Sequence, residues 1–335
     1  GKTSIRKNKD IYMIDVAIVE GPFCNNVTDT SFKIDFTTNF SVITMLKVND
    51  KIFADSVPAK KHSFFINKLK PNTVYTYTII YGNNHNDYTV KTYPRSGSRQ
   101  QFSFAWLGDS RKTGGGGEYN VYGVNKHTLT QCFNVIKNYK ASFAIFGGDM
   151  IDGYSHSVDD VNLQYANWRI AIEQFAHSLP IYTVMGNHES VFYRFDSPQK
   201  SMYIPFFTNI NSEKLFYDNV FNPSNGPFSE DNSFFDIDSI NVDFPLYDRS
   251  VYWFSYDNTA FIVLNTEYMQ NFDDNSLACV GGNIHGYIMD NQLQWLQKTI
   301  EYLDNNKNID NIFICQHAPT FPVSKHVADA MWYNG

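Results

Sequence analysis

The chain has 335 residues, 43% of them apolar and 16% aromatic, which is enough for two folded domains with a large core. The formal net charge is −7 and the lysines and arginines are scattered, which excludes the basic stripe that a nucleic-acid surface needs. No apolar run is long enough to cross a bilayer, so the sequence predicts no transmembrane segment.

The first residues, GKTSIRKNKD, lack the apolar stretch of a signal peptide, so we expect a processed or engineered end from which any leader has gone. Two glycosylation triplets, Asn26-Val-Thr28 and Asn39-Phe-Ser41, lean towards a secreted glycoprotein. The four cysteines have no metal-ligand spacing and are too few for a disulfide-held scaffold.

Residues 11 to about 94 show the pattern of consecutive β-strands separated by turn-forming residues. Alternation places one apolar face on each of two clear strands, formed by Phe32, Ile34 and Phe36 and by Tyr75, Tyr77 and Ile79. The stretch Leu69–Tyr75 resembles the tyrosine corner of fibronectin type III domains, in which a tyrosine hydroxyl ties a strand to the preceding loop. We predict a β-sandwich over residues 1–96, followed by the polar linker YPRSGSRQQ.

From residue 101 the pattern changes to short apolar runs that alternate with segments of helical period. The helical stripes predict one helix from Leu129 to Tyr139, another over Asp159–Ala176 and a third from Leu293 to Leu303. Residues 190–250 are irregular, and we interpret them as long loops or an insertion over the site. Buried strands that alternate with helices indicate a layered α/β domain over residues 101–335.

Four of the apolar runs end in residue types that bind metal ions or transfer protons. They are FAWLGDSR, FAIFGGDMID, IYTVMGNHE and IFICQHAP, and they supply Asp109, Asp149, Asp152, Asn187, His188, Glu189 and His317. Each piece alone is more often a turn, a helix cap or a core histidine. The ordered set is specific, because side chains converge where strands of such domains end.

This set resembles the motifs of the calcineurin-like metallophosphoesterase superfamily, and the sandwich in front is similar to that of the purple acid phosphatases. The resemblance covers nearly the whole chain. It implies an α+β or α/β fold in which an N-terminal β-sandwich precedes a layered α/β/β/α domain that is incomplete at its C-terminus.

The resemblance also implies two divalent or trivalent metal ions, of Fe, Zn or Mn. Asp109 would bind the first ion and Asp149 would bridge both, while Asn187 and His317 would bind the second. His188 would protonate the leaving group as a general acid. These residue types suit the task, because carboxylate, amide and imidazole groups complete a metal shell without excess negative charge.

Three departures from the family pattern stand out. The first motif has Arg111 where a histidine is expected, and we assign this arginine to substrate phosphate, with a nearby carboxylate as the alternative partner. Asp152 replaces the tyrosine that colours the purple enzymes, and it either binds a metal or caps the next loop. The final Gly-His-x-His motif is absent, so we expect the native protein to continue past Gly335; the alternative is a degenerate relative.

The sequence therefore predicts hydrolysis of phosphomonoesters or phosphodiesters by a metal-activated water in a secreted or vacuolar/lysosomal enzyme. The alternative is a catalytically degenerate protein that acts as an extracellular structural or interaction module. Substrate, metals and oligomeric state are not determined by these motifs.

Overall fold

The computed structural model describes residues 4–111, 120–153, 155, 157–190, 212–230, 244–268 and 286–320. Its first part contains nine strands, as the period-two pattern predicts. These are β1 (Ser4–Asn8), β2 (Ile11–Asp15), β3 (Ile18–Asn25), β4 (Phe32–Val42), β5 (Thr44–Val48), β6 (Lys51–Ala54), β7 (Ala59–Ile66), β8 (Val74–Tyr81) and β9 (Asn84–Lys91).

Two antiparallel sheets make up the predicted β-sandwich, with strand orders β3-β4-β7 and β6-β5-β8-β9. The predicted apolar faces are both buried, with Phe32 and Ile34 on one sheet and Tyr77 and Ile79 on the other fully removed from solvent. The N–H of Lys70 donates to the hydroxyl oxygen of Tyr75 at 2.8 Å, which is the predicted tyrosine corner.

The rest of the chain mixes helices with short strands, which confirms the expected change of fold class. Its elements are β10 (Ala105–Leu107), β11 (Asn120–Val121), β12 (Val124–Asn125), α1 (Lys126–Asn138), β13 (Ala144–Phe146), α2 (Val158–Ala176), β14 (Ile181–Thr183), α3 (Asn187–Ser190), α4 (Ser212–Asn219), β15 (Tyr252–Tyr256), β16 (Thr259–Val263), α5 (Asp290–Asp304) and β17 (Asn311–Cys315).

Two three-stranded sheets carry the loops of interest, with strand orders β10-β13-β14 and β15-β16-β17. All residues of β13 and β16 are buried, in agreement with their continuous apolar sequences. Strand β17 runs parallel to β16 and antiparallel strand β15 lies on the other side. The core around β16 includes Leu296 and Leu303 of α5, so this helix covers one face of its sheet.

The predicted helices are present, but the predicted apolar faces of two of them include residues that are exposed to solvent. Cys132, Tyr139 and Leu293 are exposed, whereas Phe133 and Leu296 are buried. A helix buries only the residues that its neighbours cover, and in α5 that stripe runs through Gln292, Leu296, Thr299 and Leu303. The irregular region 190–250 contains α4, while residues 191–211 and 231–243 lie outside the described residues.

The chain divides into two compact units. The first comprises residues 1–105, 130–144 and 169–181, and the second comprises residues 106–129, 145–168 and 182–335. Within the first unit, Arg169 of α2 pairs with Glu20 of the sandwich, and Tyr77 donates to the carbonyl of His177. The boundary between residues 96 and 101 stays a prediction.

Among the described residues, no helix combines the length and apolarity needed to span a bilayer.

Candidate metal centre

Every residue singled out for chemistry lies in the second unit, either on the loops that follow β10, β13 and β17 or in α3, the short helix after β14. The loop after β10 is joined to the loop after β13 by backbone hydrogen bonds. Asp109 N donates to the carbonyl of Gly148 at 3.0 Å, and Arg111 N donates to that of Asp149 at 3.1 Å. The buried Ser110 hydroxyl adds a bond to the carbonyl of Met150 at 2.9 Å. The two loops are therefore fixed side by side.

Asp149 lies at the centre of the cluster and is 1% exposed. Its φ of 57° is in the left-handed region, which a non-glycine residue rarely adopts without a compensating interaction. That interaction comes from its neighbours, because Oδ1 accepts from His188 N at 3.1 Å and Oδ2 accepts from Arg111 Nε at 2.8 Å. The strained backbone thus presents each carboxylate oxygen to a different donor.

Gly148 allows this close approach. Its φ is +95°, and a Cβ added there would lie 2.6 Å from His317 Nδ1 and 2.8 Å from the Cα of Gly186. A side chain would force apart the loops after β13, β14 and β17. The second glycine of FAIFGGD is therefore required by packing at the site.

His317 is oriented by a backbone carbonyl. Its Nδ1 donates to the oxygen of Gly147 at 2.7 Å, so Nε2 has a lone pair in the neutral ring and an N–H directed at Asn187 Oδ1 in the protonated ring. This Nε2 lies 2.9 Å from Asn187 Oδ1 and 3.4 Å from Asp149 Oδ1. Burial alone would lower the pKa of His317, but the Asp149 carboxylate and the bond to Gly147 outweigh it, so the pKa is raised.

Two oxygens, Asp149 Oδ1 and Asn187 Oδ1, therefore lie within 3.4 Å of His317 Nε2, and all three atoms have lone pairs when the histidine is neutral. Neighbouring ligands on a cation with bond lengths of about 2.0–2.2 Å lie roughly 2.8–3.6 Å apart in octahedral or tetrahedral geometry, and both separations fall in this range. The cluster thus fits a metal ion chemically. Its make-up is one carboxylate, one imidazole and one amide; nowhere in the described ranges do three His, Cys, Asp or Glu side chains gather in a metal-binding group.

Two of the carboxylates proposed as ligands are not brought into this cluster. Asp109 is held through its backbone, and its side chain is exposed. Asp152 meets the site through its carbonyl oxygen, which accepts from His188 Nδ1 at 2.6 Å. Their assignment as metal ligands stays a prediction.

His188 is buried, with Nε2 3.9 Å from Asp149 Oδ2. Burial lowers the pKa of His188, and the Asp149 carboxylate offsets only part of that effect. Because Nδ1 is bound to the carbonyl of Asp152, Nε2 is the nitrogen left to exchange a proton.

Arg111 is paired with a nearby carboxylate, that of Asp149, which was the alternative to substrate phosphate in the prediction from the sequence. Its Nε donates to Asp149 Oδ2, and its side chain is 36% exposed. Arg111 therefore lies at the cluster edge, paired with a carboxylate and open to solvent on its other side.

Glu189 is the site residue whose role the sequence analysis missed. Its buried carboxylate accepts from Asp149 N and Gly186 N, both at 2.8 Å, and from Ile151 N at 3.1 Å. Burial and the charge of Asp149 raise the pKa of Glu189 to about 7. Glu189 thus joins the loops after β13 and β14. The available signal was its position in the Asn-His-Glu turn, but the burial that reveals its role is a tertiary property.

Comparison with known proteins agrees with the geometry. The sequence model of the calcineurin-like phosphoesterase family matches residues 102–333, and the chain belongs to this family. No curated protein matches the chain significantly.

The fold is also found in a solved structure. The structure of PhoD superposes with a TM-score of 0.59 at 17% identity over 88% of this chain and 61% of that chain, so this chain spans about three fifths of PhoD. A dimetal phosphatase from Danio rerio gives a TM-score of 0.43 at 16% identity over 70% of this chain and 74% of its own. At these identities the likeness to PhoD shows the fold alone, and the second match carries no weight.

Proposed function

We propose that this chain hydrolyses phosphate esters at a metal centre held by Asp149, Asn187 and His317. The observation that carries the proposal is that two oxygens from separate segments of the chain, Asn187 Oδ1 and Asp149 Oδ1, lie 2.9 and 3.4 Å from His317 Nε2. A bound metal ion would polarise the phosphate and acidify a coordinated water. The resemblance implies two such ions, with Asp109 and Asp152 as further ligands; Fe, Zn and Mn all suit these donors.

The remaining side chains have distinct roles in this proposal. Arg111 has further N–H donors on its guanidinium beyond the one that pairs with Asp149, and these can bind two phosphate oxygens. His188 would donate a proton from Nε2 to the leaving oxygen in its doubly protonated form, because Nδ1 already carries the proton that binds the carbonyl of Asp152. Glu189 positions the loops and does not contact substrate.

The test is turnover of p-nitrophenyl phosphate and bis(p-nitrophenyl) phosphate by the metal-loaded protein. We expect Mn²⁺- or Zn²⁺-dependent hydrolysis that Asn187→Ala or His317→Ala reduces by about 10²-fold or more, since a ligand is lost. The matched controls, Asn258→Ala and His85→Ala, change polar residues away from the cluster and should keep full activity. Equal activity in ligand and control variants would contradict the proposal.

The second candidate is a catalytically degenerate relative that acts as a structural or interaction module. The ion pair between Arg111 and Asp149 favours it, because the carboxylate expected to bridge two cations already has a cationic partner. Folded protein that neither binds metal nor turns over either ester would favour this candidate. Location in a secretory, vacuolar or lysosomal compartment also stays a proposal.

A further inference from the structure

The two oxygens of Asp149 face different surroundings. On one side, Oδ1 accepts from His188 N at 3.1 Å and lies 3.4 Å from His317 Nε2. On the other side, Oδ2 accepts from Arg111 Nε at 2.8 Å. A carboxylate can bridge two metal ions through both oxygens or through one of them, and here only Oδ1 is open to a metal ion, because Oδ2 faces a guanidinium.

The backbone places Arg111 firmly. Its N–H donates to the carbonyl of Asp149 at 3.1 Å, and a β-bridge joins it to Val124. The preceding residue, Ser110, accepts from Asn125 N at 2.7 Å and donates from its hydroxyl to Met150 at 2.9 Å. These bonds hold the backbone of Arg111 beside the loop that carries Asp149, within reach of the bond from Arg111 Nε to Asp149 Oδ2.

A guanidinium cannot do what the expected histidine would do. It stays protonated at any working pH and has no lone pair for a metal. It also neutralises the buried Asp149 carboxylate, which is the electrostatic task of a cation at that position. A second metal ion beside Oδ2 would meet this fixed positive charge at short range.

We infer that Arg111 takes the place of the first metal ion, so that this centre binds one metal ion, at Asp149 Oδ1, Asn187 and His317. Asp109, which the resemblance assigns to the first ion, is then left without that ion, in agreement with its exposure to solvent. The inference rests on the proposed function, because it requires a bound metal ion. It differs from the resemblance, which implies two ions, in that the centre binds one.

The experiment counts metal ions. Mn²⁺ is titrated into metal-free protein by calorimetry, and the metal content after gel filtration is measured in parallel. We expect one Mn²⁺ per chain for the wild type and two for Arg111→His, which replaces the fixed charge by a neutral ligand. Arg111→Lys keeps the charge and should bind one ion, and so should Arg95→His, which adds a histidine at an exposed position of the first unit.

Electron paramagnetic resonance of the Mn²⁺-loaded samples gives an independent readout. We expect the six-line spectrum of an isolated ion for the wild type and a broadened, spin-coupled spectrum for Arg111→His. Two ions in the wild type, or one ion in a folded Arg111→His protein, would overturn the inference. Two ions with hydrolytic activity would leave the proposed function intact, whereas no bound metal and no turnover would overturn both. The wild-type count decides the matter even if Arg111→His does not fold.

Discussion

At the scale of single residues, buried acidic side chains in this chain differ in the groups that bind their carboxylate oxygens. Asp149 is paired with Arg111, and Glu189 accepts three backbone N–H groups. Glu213, at the start of α4, is also buried, but within the described residues its Oε2 has no hydrogen-bond partner. Burial raises the pKa of Glu213 to about 8. This acid is therefore neutral in the folded protein at pH values where it is charged in the unfolded chain.

Glu213 makes stability depend on pH. The protonated Glu213 carboxyl contributes fully to the free energy of unfolding below pH 4.5, the pKa of this group in the unfolded chain. This contribution falls as the pH rises towards about 8, because the unfolded chain releases the Glu213 proton at a lower pH than the folded protein does. We expect Glu213→Gln, which stays neutral, to raise the Tm above that of the wild type by several degrees at pH 8 and hardly at all at pH 4.5. Thermal unfolding between these pH values measures the difference.

The matched control is Glu301→Gln, on the exposed side of α5. Its Tm should follow that of the wild type at each pH. Parallel curves for Glu213→Gln and the wild type would show that the buried carboxyl is not held neutral.

At the scale of elements, the sandwich depends on alternation and on fixed turns. The strands β4 and β8 bury one face each, and the phenol of Tyr75 ties the start of β8 to the preceding loop through Lys70 N. This bond satisfies a backbone donor that has left the sheet ladder. The tyrosine corner was predicted from a short stretch of sequence, because both partners lie five residues apart.

We expect Tyr75→Phe to destabilise the protein by about 1 kcal/mol, because Lys70 N loses its acceptor while the buried ring is kept. Tyr12→Phe removes a hydroxyl from a ring that is 69% exposed and should change stability by less than about 0.5 kcal/mol. Urea unfolding followed by tyrosine fluorescence measures both. Similar values for the two variants would mean that the bond of Tyr75 contributes nothing.

At the scale of the whole molecule, the centre is formed by segments far apart in the chain. The bonds of His317 to Asn187 and Gly147 join residues 130 and 170 positions apart. Such contacts exist only in the folded state, so an ion bound there stabilises that state and has no comparable site in the unfolded chain.

Metal ions should therefore raise the Tm. At a free Mn²⁺ concentration of about 100 times Kd, binding adds about 2.7 kcal/mol to the free energy of unfolding. We expect EDTA to reverse the shift and Asn187→Ala to abolish it, whereas Asn258→Ala should keep it. Thermal scans with and without Mn²⁺ measure the change, and an equal shift in both variants would place the bound ion elsewhere.

The sequence by itself determined the β-sandwich, the mixed α/β part and the loops that carry chemistry. Period-two alternation and continuous apolar runs are local properties, and they follow directly from which faces of a strand are buried. The positions of Asp149, Asn187 and His317 after apolar strands likewise required only the order of residues. The buried face of a helix was harder to predict, as the exposed residues Leu293 and Tyr139 show. Which face is buried depends on the neighbouring elements that pack against the helix, and this is not a local property of the sequence.

Only the tertiary structure decided how the polar side chains are used. It brought Asn187 and Asp149 to His317 and directed Arg111 to Asp149 Oδ2. It also gave Glu189 its three backbone donors. The physical reason is that a carboxylate, an imidazole or a guanidinium can satisfy its charge in several ways, and the choice depends on which groups the packed loops bring within about 3 Å.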